Sequence, residues 1–303
     1  MAENHPTYLS PSELGTKDYW ETFYARTLSQ ISSKPSSDNP RLARPEAHPS
    51  DPPSDEESVD DDDDPGTSWF SEHNAPDKVL HFLTDASFPL APCNHPQPAP
   101  SVLDLGTGNG SMLALLRTRG GFAGPMVGVD YSARSVELAR ELQRSKMHSA
   151  YAPDSDDDEP GPAAGADEIR FEEWDILAGT DALSAEEVRD AAKRRLDWFP
   201  YAAGGFDIVL DKGTFDAVSL SEETGEGDRR VCERYPGIVR RLVRNGGFVV
   251  VTSCNWTEEE LVAWFTRGDQ EDGLVVYGKV EYPRFRFGGK EGQGVCTVCF
   301  QRV

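Results

Sequence analysis

The stretch that most constrains this chain is residues 101–110, Ser-Val-Leu-Asp-Leu-Gly-Thr-Gly-Asn-Gly. Val102, Leu103 and Leu105 have the unbroken apolar character of a strand buried on both faces, and Asp104 lies at its carboxyl end. Gly106, Gly108 and Gly110 then turn the chain into the apolar run 112–116, which reads as a helix. A strand, a glycine turn and a helix present backbone N–H groups to a ligand outside the strand ends. The spacing is G-x-G-x-G, whereas a dinucleotide fingerprint is G-x-G-x-x-G. A carboxylate just before the turn repels a pyrophosphate and suits a ligand that carries an ammonium group.

Strand and helix alternate through the rest of the chain. Strands are predicted over 101–105, 125–130, 168–173, 206–211, 246–253, 275–284 and 294–302, and helices over 110–119, 133–146, 184–196, 228–243 and 257–266. Five βα units followed by two strands without an intervening helix predict an α/β, Rossmann-like fold. Its seven-stranded sheet is mostly parallel with an antiparallel last strand, and helices lie on both faces. Ahead of these elements, residues 12–31 read as an amphipathic helix, with Tyr19, Trp20, Phe23, Tyr24, Leu28 and Ile31 at helical spacing. Trp69 and Phe70 introduce a further helix over about 73–84, and a Pro-rich loop fills 89–100.

Two segments cannot contribute to a core. Residues 32–68 are rich in Ser, Pro and Asp, and residues 149–168 repeat the acidic theme. Both are expected to be disordered, because they bury too little apolar area to offset their ordering entropy. This divides the chain into an N-terminal helix (1–31) packing on the catalytic domain, an acidic insert (32–68) and one domain (69–303) interrupted by the second insert. The net charge of −23 draws 16 acidic residues from 51–64 and 154–168, which hold no base. The folded part is therefore only mildly acidic, which argues against nucleic acid and favours a basic, lysine-bearing partner.

No apolar run approaches the ~18 residues that span a bilayer, and the N-terminus lacks a signal-peptide pattern. The five cysteines (Cys93, Cys232, Cys254, Cys296 and Cys299) are odd in number and scattered. The expectation is a cytoplasmic, reduced, monomeric protein without a metal site or membrane contact. Cys296-x-x-Cys299 falls within a predicted strand with no second pair nearby, so it reads as core.

The predicted strand ends carry the chemistry. Asp130 follows Asp104 by 26 residues, where an acid accepts both hydroxyls of a ribose, and Tyr131 offers a ring near a base. Asp175 ends the third strand, suited to an exocyclic amine, with Trp174 to pack on the ring. S-adenosylmethionine, with its ribose, adenine and ammonium, matches these groups. The fourth strand ends Asp211-Lys-Gly-Thr-Phe215 and lacks the N/D-P-P-Y/F tetrad of enzymes that methylate base or glutamine amines. One acid and one aromatic ring there suit an amine that must be aligned with the S–CH₃ bond and lose a proton. After the fifth strand, Asn255 and Trp256 are candidates for the substrate mouth, while Thr257 with Glu260 forms a capping box.

In their order and spacing these segments resemble the seven-β-strand, S-adenosylmethionine-dependent lysine methyltransferases that act on translation elongation factor 1-alpha. The matching stretches are 12–20, 104–110, 128–132, 211–217, 252–256 and 285–289. The resemblance implies methyl transfer to a protein lysine, with elongation factor 1-alpha as substrate. It implies that Asp104 and the turn of Gly106, Thr107, Gly108, Asn109 and Gly110 hold the amino-acid end of the cofactor. Asp130 and Tyr131 would hold the ribose side, and Trp174 and Asp175 the adenine. Trp69 and Phe70 would close over the cofactor, and Asp211 would border it. Asp211 and Phe215, with Asn255 and Trp256, would orient the lysine. Two other readings of the same cofactor site are a small-amine methyltransferase and a binding module without catalysis.

Overall fold

The computed structural model describes residues 7–33, 65–66, 70, 73–152, 168–183, 195–267, 272–283, 285–287, 290–292 and 294–303. The apolar run Val102–Leu105 forms strand β1, buried at every residue. Strands β2 (Met126–Asp130), β3 (Arg170–Glu173), β4 (Phe206–Lys212) and β5 (Val243–Ser253) extend the sheet in parallel. Strand β6 (Leu274–Val280) and a short hairpin, β7 (Phe285–Phe287) with β8 (Lys290–Gly292), precede β9 (Cys296–Arg302). Strand β9 enters antiparallel between β5 and β6, giving the order β3-β2-β1-β4-β5-β9-β6. This is the predicted seven-stranded sheet with one antiparallel member. The order reverses between β1 and β4, which opens a crevice at their carboxyl ends.

Helices α1 (Lys17–Ser33), α2 (Ala75–Thr84), α3 (Ser111–Thr118) and α4 (Ala133–Ser145) are followed by α5 (Thr214–Leu220), α6 (Tyr235–Leu242) and α7 (Glu258–Phe265). Side chains alternate along each strand, so the sheet carries two cores. Val102, Ile208, Leu210 and Val250 pack with Leu113, Leu116, Leu138 and Leu142 of α3 and α4. Leu103, Val209, Val249 and Val298 pack with Tyr235, Leu242, Leu261 and Trp264 of α6 and α7.

Several boundaries differ from the sequence reading, each for a local reason. The N-terminal helix begins at Lys17, after a 3-10 turn at Glu13–Gly15, because Thr16 Oγ1 accepts the Tyr19 N–H at 3.4 Å. The preceding residues follow α5 instead: Ser12 N–H donates to Leu220 O at 3.1 Å, and Arg230 Nη1 donates to Leu9 O at 2.8 Å. Helix α5 carries no amphipathic run and is set by its cap, Asp211. The segment 228–243 divides into a turn at Val231–Glu233 and α6, where Pro236 occupies the first helical turn, whose N–H groups need no partner. Residues 285–287, outside every predicted strand, form the first strand of the hairpin.

The acidic insert expected over 149–168 starts later than the composition suggests. Ser149–Tyr151 form a turn that buries Ala150 and Tyr151, and the Tyr151 hydroxyl donates to Asn109 O at 2.9 Å. A buried aromatic residue tied to the glycine turn outweighs the polar composition around it. The first insert, expected over 32–68, is ordered at both edges: Ser32 and Ser33 end α1, and Pro65 O accepts from Asn109 Nδ2 at 3.1 Å. The expected disorder over 34–64, 67–68 and 153–167, and the expected helix over 184–194, lie outside the described residues.

Gly110 shows how tightly this corner is built. Its φ is +74°, and a Cβ there would meet the Tyr151 hydroxyl at 2.4 Å and the Phe171 ring at 2.6 Å. Gly110→Ala is expected to lower stability by about 2–4 kcal/mol, from left-handed strain plus overpacking. Urea denaturation measures it, and a loss below about 0.5 kcal/mol would contradict this packing.

Candidate active site

A cavity of about 460 Å³ opens at the carboxyl ends of β1, β2 and β4, a size that suits one small-molecule ligand. Its floor is the glycine turn. The Thr107 N–H donates to Val129 O at 3.0 Å, and the Gly108 N–H donates to Asp130 Oδ2 at 3.1 Å. Gly108 has φ +57°, and a Cβ there would stand 3.0 Å from the Tyr24 hydroxyl of α1. The turn is thus pressed between the sheet and the N-terminal helix.

Asp130 lines the wall while meeting three protein donors. Its Oδ1 accepts from Ser132 N–H at 2.9 Å, and its Oδ2 accepts from Gly108 N–H and from Ser135 Oγ at 2.7 Å. Ser132 caps α4 by accepting the Ser135 N–H at 3.1 Å, so Asp130 is not needed as the cap. Burial lifts the Asp130 carboxyl above the usual carboxylate range against these hydrogen bonds. An ionised carboxylate has about four acceptor positions, which leaves capacity for a ligand hydroxyl. Tyr131, Trp174 and Asp175 continue this wall. Trp174 is fixed edge-on against Trp198 with ring centres 5.4 Å apart, and Asp175 Oδ1 accepts the Leu177 N–H at 2.8 Å.

Asp104, Asn109 and Gly110 are placed differently. Asp104 lies buried behind the turn, outside the cavity wall, where Thr107 Oγ1 donates to its Oδ2 at 2.7 Å. Burial pushes its carboxyl up to about 6, with the Thr107 hydrogen bond and the Lys212 charge acting against the rise. Asn109 lines the cavity but already donates to Pro65 O and accepts from the Ser111 N–H, each at 3.1 Å. Gly110 sits behind the wall in the packing described above. Phe70 closes one side, buried against Tyr282 and Val295; Trp69 lies outside the described residues.

The four residues expected to orient a lysine are not in the cavity wall. Strand alternation turns Asp211 to the face of Val209, toward α6. There its Oδ2 accepts from the Tyr235 hydroxyl at 2.7 Å, and its Oδ1 accepts the Thr214 and Phe215 N–H groups at 2.9 and 3.2 Å. Asp211 is therefore the cap of α5. Burial pushes its carboxyl up to about 7, opposed by the Tyr235 hydrogen bond. Phe215 stacks on Trp256 at 5.9 Å and meets Tyr235, Trp264 and Phe265, so both Phe215 and Trp256 are core residues. Asn255 is exposed beside this cluster, and Thr257 with Glu260 forms the expected capping box.

Sequence reasoning missed other parts of the wall. Gly15, Lys17, Trp20 and Tyr24 come from the N-terminal segment, and Lys212, Val218, Ser221, Glu223 and Arg234 from β4 and the chain after it. Trp20 and Tyr24 read as a core face because their spacing is that of any buried helix.

Comparison with known proteins decides the chemistry. A methyltransferase domain family model matches residues 97–151, the span of the glycine turn. Protein-lysine N-methyltransferase EFM4 of Saccharomyces cerevisiae is 34% identical over 96% of this chain and 96% of its own length. The chain belongs to this family. It is an S-adenosylmethionine-dependent protein-lysine N-methyltransferase. The Schizosaccharomyces pombe efm4 enzyme is 30% identical over 97% of this chain and 95% of its own, and human EEF1A lysine methyltransferase 2 is 26% identical over 97% and 88%. The cavity fits the family's cofactor in its donor set: a wall carboxylate with acceptor capacity, aromatic faces, and a glycine floor open to backbone approach.

The capping role of Asp211 has a pH signature. Its folded pKa of about 7 stands above the ~3.9 of an unfolded aspartate. The folded state therefore binds this proton more tightly, and the resulting stability is fully present below ~4 and lost as pH rises through ~7. Asp211→Asn keeps the shape and removes the titration. Its urea midpoint is expected to fall less than the wild-type midpoint between about pH 5 and about pH 8, with cofactor affinity unchanged within about twofold. A wild-type pH slope in the variant would contradict the assignment.

Proposed function

We propose that the enzyme methylates a lysine of translation elongation factor 1-alpha, using the cavity above the glycine turn as its cofactor site. The observation that carries the substrate is the near end-to-end match to relatives named EEF1A lysine methyltransferase 2, at 97% of this chain and 88% of the human protein. The mildly acidic balance left once the acidic inserts are set aside favours a basic partner over a polyanion. The five cysteines are free thiols, in keeping with a cytoplasmic protein.

The bound cofactor supplies a methyl group on a sulfonium, which needs no further activation by the protein. The protein's work is placement. Asp130 accepts the ribose hydroxyls with its remaining acceptor positions. Asp175 and the backbone of Ile176–Ala178 face the adenine edge, with Trp174 and Tyr131 as apolar walls. The Gly106–Asn109 turn carries the amino-acid end, and the Asp104 charge behind Thr107 favours an ammonium on the cavity side.

A lysine must shed its solvation and a proton before it attacks. Glu223 lines the cavity and is exposed, so it attracts the ammonium at the mouth. Phe70, Ala217 and Val218 give an entering amine an apolar passage. Burial at this site already lowers the pKa of the chain's own Lys212, and the same desolvation favours the neutral, nucleophilic form of a substrate lysine.

Incubating the purified chain with labelled S-adenosylmethionine and elongation factor 1-alpha is expected to label lysine on that protein. Asp130→Ala is expected to weaken cofactor binding by about 10–100-fold, the scale of a hydrogen-bonded carboxylate. Label confined to a small amine, or tight binding with no transfer to any protein, would overturn the substrate assignment. Unchanged cofactor affinity in Asp130→Ala would overturn the ribose assignment.

A further inference from the structure

Three cations line the cavity among the described residues, and they divide between its two ends. Lys17 stands 5.7 Å over the Tyr131 ring and 3.8 Å from a Glu173 oxygen, and Arg234 donates to Leu177 O at 3.3 Å. Both belong to the end formed by β2 and β3. Lys212 belongs to the other end. The parallel register pairs Leu105 with Asp211, so Lys212 falls beside Gly106, where the glycine turn begins. Strand alternation places Lys212 on the same sheet face as Leu210, whose register partner is Asp104.

The surroundings of Lys212 are polarised. Its Nζ stands 5.3 Å from the centre of the Phe70 ring, a position that steadies a cation. Burial lowers its pKa, and the Asp104 and Asp211 carboxylates oppose that shift. Asp104 and Lys212 are thus opposite charges on one face of the sheet, at the end of the cavity where the glycine turn begins. A methionyl tail carries an ammonium and a carboxylate on one carbon atom. The Asp104 side accounts for the ammonium, while the carboxylate needs a cation in the same small volume, because an unpaired buried charge is costly.

We propose that Lys212 receives the α-carboxylate of the cofactor's amino-acid tail, so that Asp104 and Lys212 together recognise the tail as a zwitterion. The proposal rests on the cavity being the cofactor site. With the tail bound, positive and negative charges alternate from Asp104 through the ligand's ammonium and carboxylate to Lys212, and these four charges cancel. Backbone N–H groups of the turn favour an anion only as dipoles, whereas Lys212 adds a full charge. Lys212 thereby favours a tail with a carboxylate over one without it, which makes it a specificity-determining residue for the cofactor.

Calorimetry on the full chain with S-adenosylmethionine and with decarboxylated S-adenosylmethionine tests this directly. The two ligands differ only in the group that Lys212 is assigned to meet. Wild type is expected to bind the intact ligand about 10–100-fold more tightly, the scale of one charge-assisted contact. Lys212→Met is expected to bring the ratio to within about threefold by weakening the intact ligand alone, and Lys212→Arg to restore part of it. Equal weakening of both ligands in Lys212→Met would make Lys212 only a counter-ion of Asp104 and overturn the proposal. A wild-type ratio near one overturns it as well, and needs no variant to fold. Wild type that binds neither ligand removes the cofactor site itself, an outcome distinct from the other two.

Discussion

The Asp130 carboxylate is the contact on which the cavity at the strand ends depends. One side chain at the end of β2 accepts from the glycine turn, from the first turn of α4 and from Ser135. Those bonds hold three elements in fixed relation and leave the carboxylate at the cavity surface. Burial makes the ionised form costly, and the donors compensate for it. The site is therefore built before any ligand arrives, which is the condition for placement to contribute to rate.

The same physics gives three strand-end acids different work. Asp104, Asp130 and Asp211 are all buried carboxyls at carboxyl ends of parallel strands. Asp130 faces the cavity, Asp104 sits behind the turn, and Asp211 faces the opposite core. Period-two alternation decides between the last two: Asp211 follows Val209 toward α6, and Lys212 follows Leu210 toward Asp104. A shift of one residue separates a helix cap from a cavity wall.

That shift marks the limit of what the sequence makes legible. The β1 turn, the parallel strands with one antiparallel member, and the acids at 130 and 175 follow from apolar runs and spacing. Helix α5 was not visible, because Gly213 and a capping acid specify it without an amphipathic run. The motif alone assigns the aromatic pair Phe215 and Trp256 to lysine orientation, yet three neighbouring rings, Tyr235, Trp264 and Phe265, claim it as core. The contribution of α1 was hidden for a different reason. Trp20 and Tyr24 bear on the site only through a pairing with residues far along the chain, and local periodicity carries no such information.

The strap at the N-terminus also bears on the order in which the molecule is assembled. Leu9 is held by Arg230, 221 residues away, and Tyr8 donates to Glu233, 225 residues away. Gly15, Lys17, Trp20 and Tyr24 complete the cavity between those anchors. The aromatic face of α1 is therefore satisfied only once a loop of more than two hundred residues has closed, an entropic cost that local helix formation does not meet. The cavity wall that α1 contributes is thus completed by residues far along the chain, so its shape depends on the fold as a whole and not on the glycine turn alone.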